Sequence, residues 1–151
     1  MPVAWLASLV RARTAQEDLA KQKLAEAQRR ARRAERRVKY NADRIESLID
    51  AEAMDSAPAF VAAAVALQAA AATHAAAIAA AAQAVADIDT ERVSLAHAAR
   101  ARKTAETLQE RELRAERERA AAAEQREIDE IAARVHRDSL ARPTLLDGAG
   151  S

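Results

Sequence analysis

Along the first third of the chain, Leu6, Val10, Arg13, Glu17, Ala20, Leu24, Ala27, Ala31, Ala34, Val38, Asn41, Ile45 and Leu48 step by alternating fours and threes. That spacing returns one stripe to the same face of a helix, and sustained this long it is a heptad seam. The spacing predicts a first helix over about residues 3–54. Met54-Asp55-Ser56-Ala57-Pro58 then punctuates it. Asp55 or Ser56 can accept the free amides of a new helix start, and proline is tolerated in a first turn. A turn is expected over about 55–58. A second stripe follows at Phe60, Ala64, Leu67, Ala71, His74, Ile78, Ala81, Val85, Ile88, Arg92, Leu95 and Ala99. It shifts register near Ala101 and continues through Ala105 and Leu108. Beyond Leu113 the large apolar residues are sparse (Ile128, Ile131 and Val135), and the second helix is expected to run over about 59–139. Arg142-Pro143 and Asp147-Gly148-Ala149-Gly150-Ser151 predict a disordered tail over 140–151.

The breakers agree with this division. Pro2 opens the chain, Pro143, Gly148 and Gly150 lie in the tail, and only Pro58 is internal. Two helices of such length cannot wrap a globular core. The expected fold is all-α: one antiparallel coiled-coil hairpin in residues 1–139, its second helix longer and overhanging. Folding at residue 56 makes paired residue numbers sum to near 113. Ile45 then lies beside Leu67, Leu24 beside Ile88, and Leu6 near Thr107. Residues from Leu108 to Asp138 are left without an intramolecular partner, an overhang of roughly 45 Å at helical rise.

Composition makes the seam thin. Alanine supplies 45 of 151 residues, with one Trp, one Tyr and one Phe. An alanine removes little apolar area from water, against roughly 1.5–3 kcal/mol for a fully buried leucine or isoleucine. The 31% of charged residues on a helix-forming background is the composition of a coiled coil. Net charge is +1, so no global field demands a polyanionic partner. Cysteine is absent, which excludes disulfides and fits a reducing compartment. The opening Met-Pro-Val-Ala-Trp-Leu-Ala-Ser-Leu-Val is followed, not preceded, by Arg11 and Arg13, the reverse of a secretory signal. Residues 57–86 are long enough to span a bilayer. Their apolar character is mostly alanine, however, with Gln68, His74 and Gln83 among them, and the expectation is an alanine-packed helix in water.

Local charge is uneven. From Lys21 to Arg44 there are ten basic and three acidic residues, and from Ala57 to Ala86 there are none of either sign. From Arg100 to Asp138 the count is ten against ten, with pairs such as Arg126–Glu130 and Glu130–Arg134 four apart. Each such pair contributes a few tenths of a kcal/mol, about 0.2–0.5. The run from Gln28 to Lys39 has two readings. It can track phosphates, which would make the protein a nucleic-acid-associated coiled coil. Or it is the solvated side of a coiled coil whose seam is Ala31, Ala34 and Val38. No aromatic residues interleave for base stacking except Tyr40 at its edge, which favours the second reading and no nucleic acid. A purely structural coiled-coil oligomer is a third alternative.

Chemistry has little to stand on. His74, His97 and His136 are too far apart along straight helices to share a metal, and no zinc-protease pair, glycine-rich phosphate loop or nucleophile elbow occurs. No enzyme, cofactor or metal is expected. His74 and Asn41 are polar residues on the seam, where they either fix register or face a partner. Arg13, Glu17 and Arg92 put charge on the seam near the open end. Either Glu17 pairs across it or the hairpin splays there.

Three features together resemble the flagellar export protein FliJ family. One is the size and hairpin layout. Another is the opening Leu6-Ala7-Ser8-Leu9-Val10-Arg11-Ala12-Arg13 with Gln16-Glu17-Asp18-Leu19-Ala20. The third is Glu124-Gln125-Arg126-Glu127-Ile128-Asp129-Glu130-Ile131-Ala132 followed by Arg134, similar to the stretch with which such proteins close. The resemblance covers Trp5 to Asp138. It implies a coiled-coil stalk like the gamma subunit of rotary ATPases. Such a stalk inserts in the hexameric export ATPase, promotes its assembly and activity, and links it to the cytoplasmic domain of the export gate FlhA and to export chaperones. It implies an ATPase-binding end at Arg11, Arg13, Glu124, Gln125, Asp129, Glu130 and Arg134. It implies a gate-binding face at Val38, Ile45, Leu67, Ala70 and His74. The expected location is the cytoplasm, peripheral to the inner-membrane export apparatus and without direct membrane insertion.

Overall fold

The computed structural model describes residues 2–51 and 56–142. They form two helices, α1 (Pro2–Asp50) and α2 (Ala57–Ala141), packed against each other, with no strand among the described residues. The 49 and 85 residues of these helices extend roughly 74 and 128 Å at helical rise. They run antiparallel: Leu48 lies by Leu67 near the turn, Val38 by Ile78 at mid-length, and Glu17 by Arg102 towards the open end. The architecture is the all-α helical hairpin expected from the seam.

Local chemistry explains the continuity of both helices. Between the prolines stand residues that lose little rotamer freedom in a helix. The hydroxyls that would otherwise compete for the backbone bond the carbonyl one turn back, as Thr14 Oγ1 does to Val10 O at 2.9 Å and Thr107 Oγ1 to Lys103 O at 2.9 Å. Ser56 is the N-cap of α2. Its backbone is extended, and the Ala59 amide donates to its Oγ at 3.2 Å, with Pro58 inside the first turn. Helix α2 therefore begins at Ala57 and already contains Pro58. Residues 52–55, where the first helix was expected to end and the turn to begin, lie outside the described residues. Leu140 and Ala141 continue α2, and residues 143–151 of the expected tail also lie outside.

The core is a line of small side chains. Leu6, Ala20 and Ala27 on α1 and Ala70, Ala77, Ala84 and Ala105 on α2 are buried, and Ala27 is wholly inaccessible. Every α1 position in the expected stripe is buried or half-buried. On α2 the stripe is corrected at alternate positions. Leu67, His74, Ala81, Ile88, Leu95 and Ala99 do face inward, but their companions are Ala63, Ala70, Ala77, Ala84, Glu91 and Ala98. Phe60, Ala64, Ala71, Ile78, Val85 and Arg92, expected on the seam, are exposed. Helices that approach closely admit only small residues at the contact line, so the larger side chains rotate to its flank.

Register is displaced as well. Glu17 meets Arg102, about six residues beyond the partner that a fold at residue 56 provides. The offset grows along the hairpin, from two residues at Leu48–Leu67 to three at Val38–Ile78, and alanine layers, nearly alike in packing, oppose such a shift little. Burial on α2 consequently continues through Gln109, Glu112, Leu113 and Glu116, and every described residue from Arg117 on is exposed. The overhang is thus shorter than expected, about 25 residues and roughly 37 Å.

Candidate functional site

At the open end four charged side chains from both helices converge. Glu17, buried on the α1 seam, accepts a hydrogen bond from Arg102 Nε of α2, and Lys21 Nζ stands 3.3 Å from its other oxygen. Arg102 also donates through Nη1 to Glu106 at 2.6 Å. The Arg102 bond lowers the Glu17 carboxyl below its ordinary range, against the opposing effect of burial and with help from Lys21. The Glu17 bond, with a second contribution from Glu106, raises Arg102 in turn. The seam is therefore closed here by a cross-helix charge pair and does not splay. Arg102 was not singled out in the sequence, although a buried Glu17 needs a cation and Arg102 continues the α2 stripe past Leu95 and Ala98.

The residues expected at an ATPase-binding end fall in two places. Arg11, exposed, donates to Ser8 Oγ at 3.2 Å, and Arg13, half-buried, donates to Gln16 Oε1 at 3.0 Å, both beside the closed open end. Glu124, Gln125, Asp129, Glu130 and Arg134 are exposed on the overhang. Asp129 lies roughly 35 Å along α2 from the level of Ala105. Gln125 Nε2 donates to Asp129 Oδ1 at 2.9 Å, a bond within one turn that leaves the surface free of α1. Ile128, Ile131 and Val135 share one face of this single helix, each more than half exposed. Arg119 pairs with Glu112 at 2.7 Å, two turns back, across the point where α1 ceases to cover α2.

The five residues expected on a gate-binding face all line the α1–α2 seam. Ala70 is buried, while Val38, Ile45, Leu67 and His74 are half-buried. A partner reaches them only from the seam's edge. His74 Nδ1 is buried with no hydrogen-bond partner, and the register sets buried Asn41 close by on α1, a polar layer in an apolar seam. The basic run shows Arg29, Arg30, Arg32, Arg33, Arg36 and Arg37 exposed around half-buried Ala31, Ala34 and Val38. It is the outer side of the seam helix. Among the described residues no cluster of potential metal ligands occurs. The α2 segment that is long and apolar enough to cross a bilayer has α1 packed along one side.

These features define a class: a two-helix hairpin with a charge-closed open end and a protruding single helix, a scaffold for contacts. A family model described as flagellar FliJ protein matches residues 4–141, nearly the whole chain. The chain belongs to the flagellar FliJ family, and is a component of the flagellar protein export apparatus. No curated protein and no solved structure matches it significantly.

Proposed function

We propose that this protein is the central stalk of the export machine: its overhang enters the ring of the hexameric export ATPase and promotes ring assembly and hydrolysis. The observation that carries the reading is the overhang itself, a helix of about 25 exposed residues with the Glu124–Arg134 motif in its middle. A single helix with Ile128, Ile131 and Val135 in solvent forgoes burial that a partner would supply. Its alternating charges make it soluble while it waits and give a ring pore weak, distributed contacts.

The hairpin links this end to the export gate and to emptied chaperones. The gate-binding face is proposed at Val38, Ile45, Leu67, Ala70 and His74, where an alanine seam lets a partner compete with the hairpin's own packing. The protein works in the cytoplasm and stays outside the bilayer. Insertion of the Ala57–Ala86 segment would strip away α1 or drag the basic residues of its Lys21–Arg44 stretch into hydrocarbon.

Titrating the export ATPase of the same cell with this protein tests the reading. Stimulated hydrolysis together with hexamer formation is expected, and should vanish when the chain is cut after Glu116. Equal stimulation by the truncated chain overturns the role given to the overhang.

A further inference from the structure

On one flank of the hairpin, at mid-length, lies an open groove of about 640 Å³. Ala31 and Val38 of α1 and Ala81 and Ile88 of α2 form its floor, and Ile78 and Val85 form its outer wall. Ile78 is 49% and Val85 57% exposed. Close helix approach puts Ala77 and Ala84 on the seam, and their larger neighbours are left standing in the groove. Here the two exposed side chains border an apolar floor shared by both helices, so they form one surface and not isolated residues.

Charge around the groove is one-sided. Its α1 rim carries Arg32, with Gln28 and Glu35. Lys21, Arg36 and Lys39 fall on the same side by helical spacing, in a stretch of ten basic and three acidic residues. The α2 rim has no charge from Ala57 to Ala86, and Asp87 and Asp89 stand at its far end. Two copies meeting groove to groove would bring two net-basic α1 rims together, which disfavours self-association there. The floor from Ala31 to Val38 and from Ile78 to Ile88 is roughly 10–15 Å long, matching two to three turns of a third helix.

We propose that this groove docks an amphipathic helix of another protein, with apolar anchors at i, i+3 or i+4, and i+7, flanked by Asp or Glu that face the α1 rim. The docked helix completes a local three-helix bundle. The site lies away from the overhang and stands whether or not the overhang enters an ATPase.

The test uses the full chain and a fluorescein-labelled synthetic helix of eighteen residues, leucine at the anchor positions and glutamate on both flanks, followed by anisotropy. A twin probe carries lysine instead of glutamate. The glutamate helix is expected to bind at least tenfold tighter than its twin. Val85→Asp and Arg32→Glu should each weaken it at least tenfold with helicity and melting temperature unchanged. Thr73→Asp, on the opposite flank, should not. Absence of binding, equal binding of the twins, or indifference to Val85→Asp overturns the proposal. So does a wild-type dimer that Val85→Asp dissolves, which would assign the groove to a second copy. Stimulation of the export ATPase by the Val85→Asp chain, measured in parallel, is expected to stay at the wild-type level and separates this proposal from the stalk reading.

Discussion

Ala84 and Val85 are neighbours in one helix, and leucine at each should have opposite consequences. Ala84 is 8% exposed on the seam, whereas Val85 is 57% exposed on its flank. Leucine adds three carbons to alanine. Were there room for them, burial at about 0.8 kcal/mol per carbon would stabilise the hairpin by roughly 2 kcal/mol. There is no such room where two helices meet through alanine, and overpacking a close contact costs about 1–3 kcal/mol. At 2–4 °C per kcal/mol for a chain of this length, Ala84→Leu should lower the melting temperature by roughly 2–12 °C. Val85→Leu adds one carbon in solvent and should stay within about 0.5 kcal/mol of wild type. Helix propensity is nearly the same for alanine and leucine, so the difference reports packing. Urea and thermal unfolding followed by circular dichroism at 222 nm give both numbers. If Ala84→Leu is neutral or stabilising while Val85→Leu destabilises, the seam runs through the large residues and the packing argument fails.

Other consequences are as direct. Because the Arg102 bond depresses the Glu17 carboxyl, the unfolded chain holds that proton more tightly, and the contribution is fully present above the ordinary value near 4.5. It should fade as pH falls through the depressed value. Melting curves between pH 3 and 6 should therefore decline more steeply for wild type than for Glu17→Gln, and parallel curves would contradict the pairing. Cutting the chain after Glu116 should remove helical signal but shift the hairpin's unfolding by less than about 0.5 kcal/mol, since no described residue beyond it is buried. A larger loss in urea titrations would mean that the overhang packs on the hairpin. The double change Asp129→Arg with Glu130→Arg should weaken stimulation of the export ATPase and leave helicity near wild type. Collapse of the circular dichroism signal would make the motif structural.

Much of this fold was legible because periodicity and punctuation point the same way. The α1 stripe from Leu6 to Leu48 contains enough Leu, Val and Ile to mark one face, and each position it names turns inward. The α2 stripe was readable only in half its positions. Choosing the larger of two adjacent residues selects Ile78 over Ala77 and Val85 over Ala84, and close helix approach selects the smaller. The same alanine excess hid the register. A seam of near-identical layers carries little information about which heptad meets which, so the meeting of Glu17 with Arg102 was open until both helices were in place. The overhang was evident from arithmetic, but its start depended on that register and moved from Leu108 to Arg117. Of the residues expected at the gate-binding face, the sequence gives the helix positions. Val38, Ile45, Leu67 and His74 already stand on the stripes read from spacing, and only Ala70 is added to the seam by the structure.

The change at Glu116 from two helices to one is also a change in girth. A lone helix with its side chains is about 10–12 Å across, and a second axis about 8–10 Å away widens the hairpin to roughly 20 Å. An aperture of intermediate width admits the rod up to this shoulder and no further. For such an aperture the shoulder would be a depth gauge, and the described rod beyond it measures roughly 37 Å at helical rise. The Glu17–Arg102 pair holds the two helices together about 21 Å behind that stop.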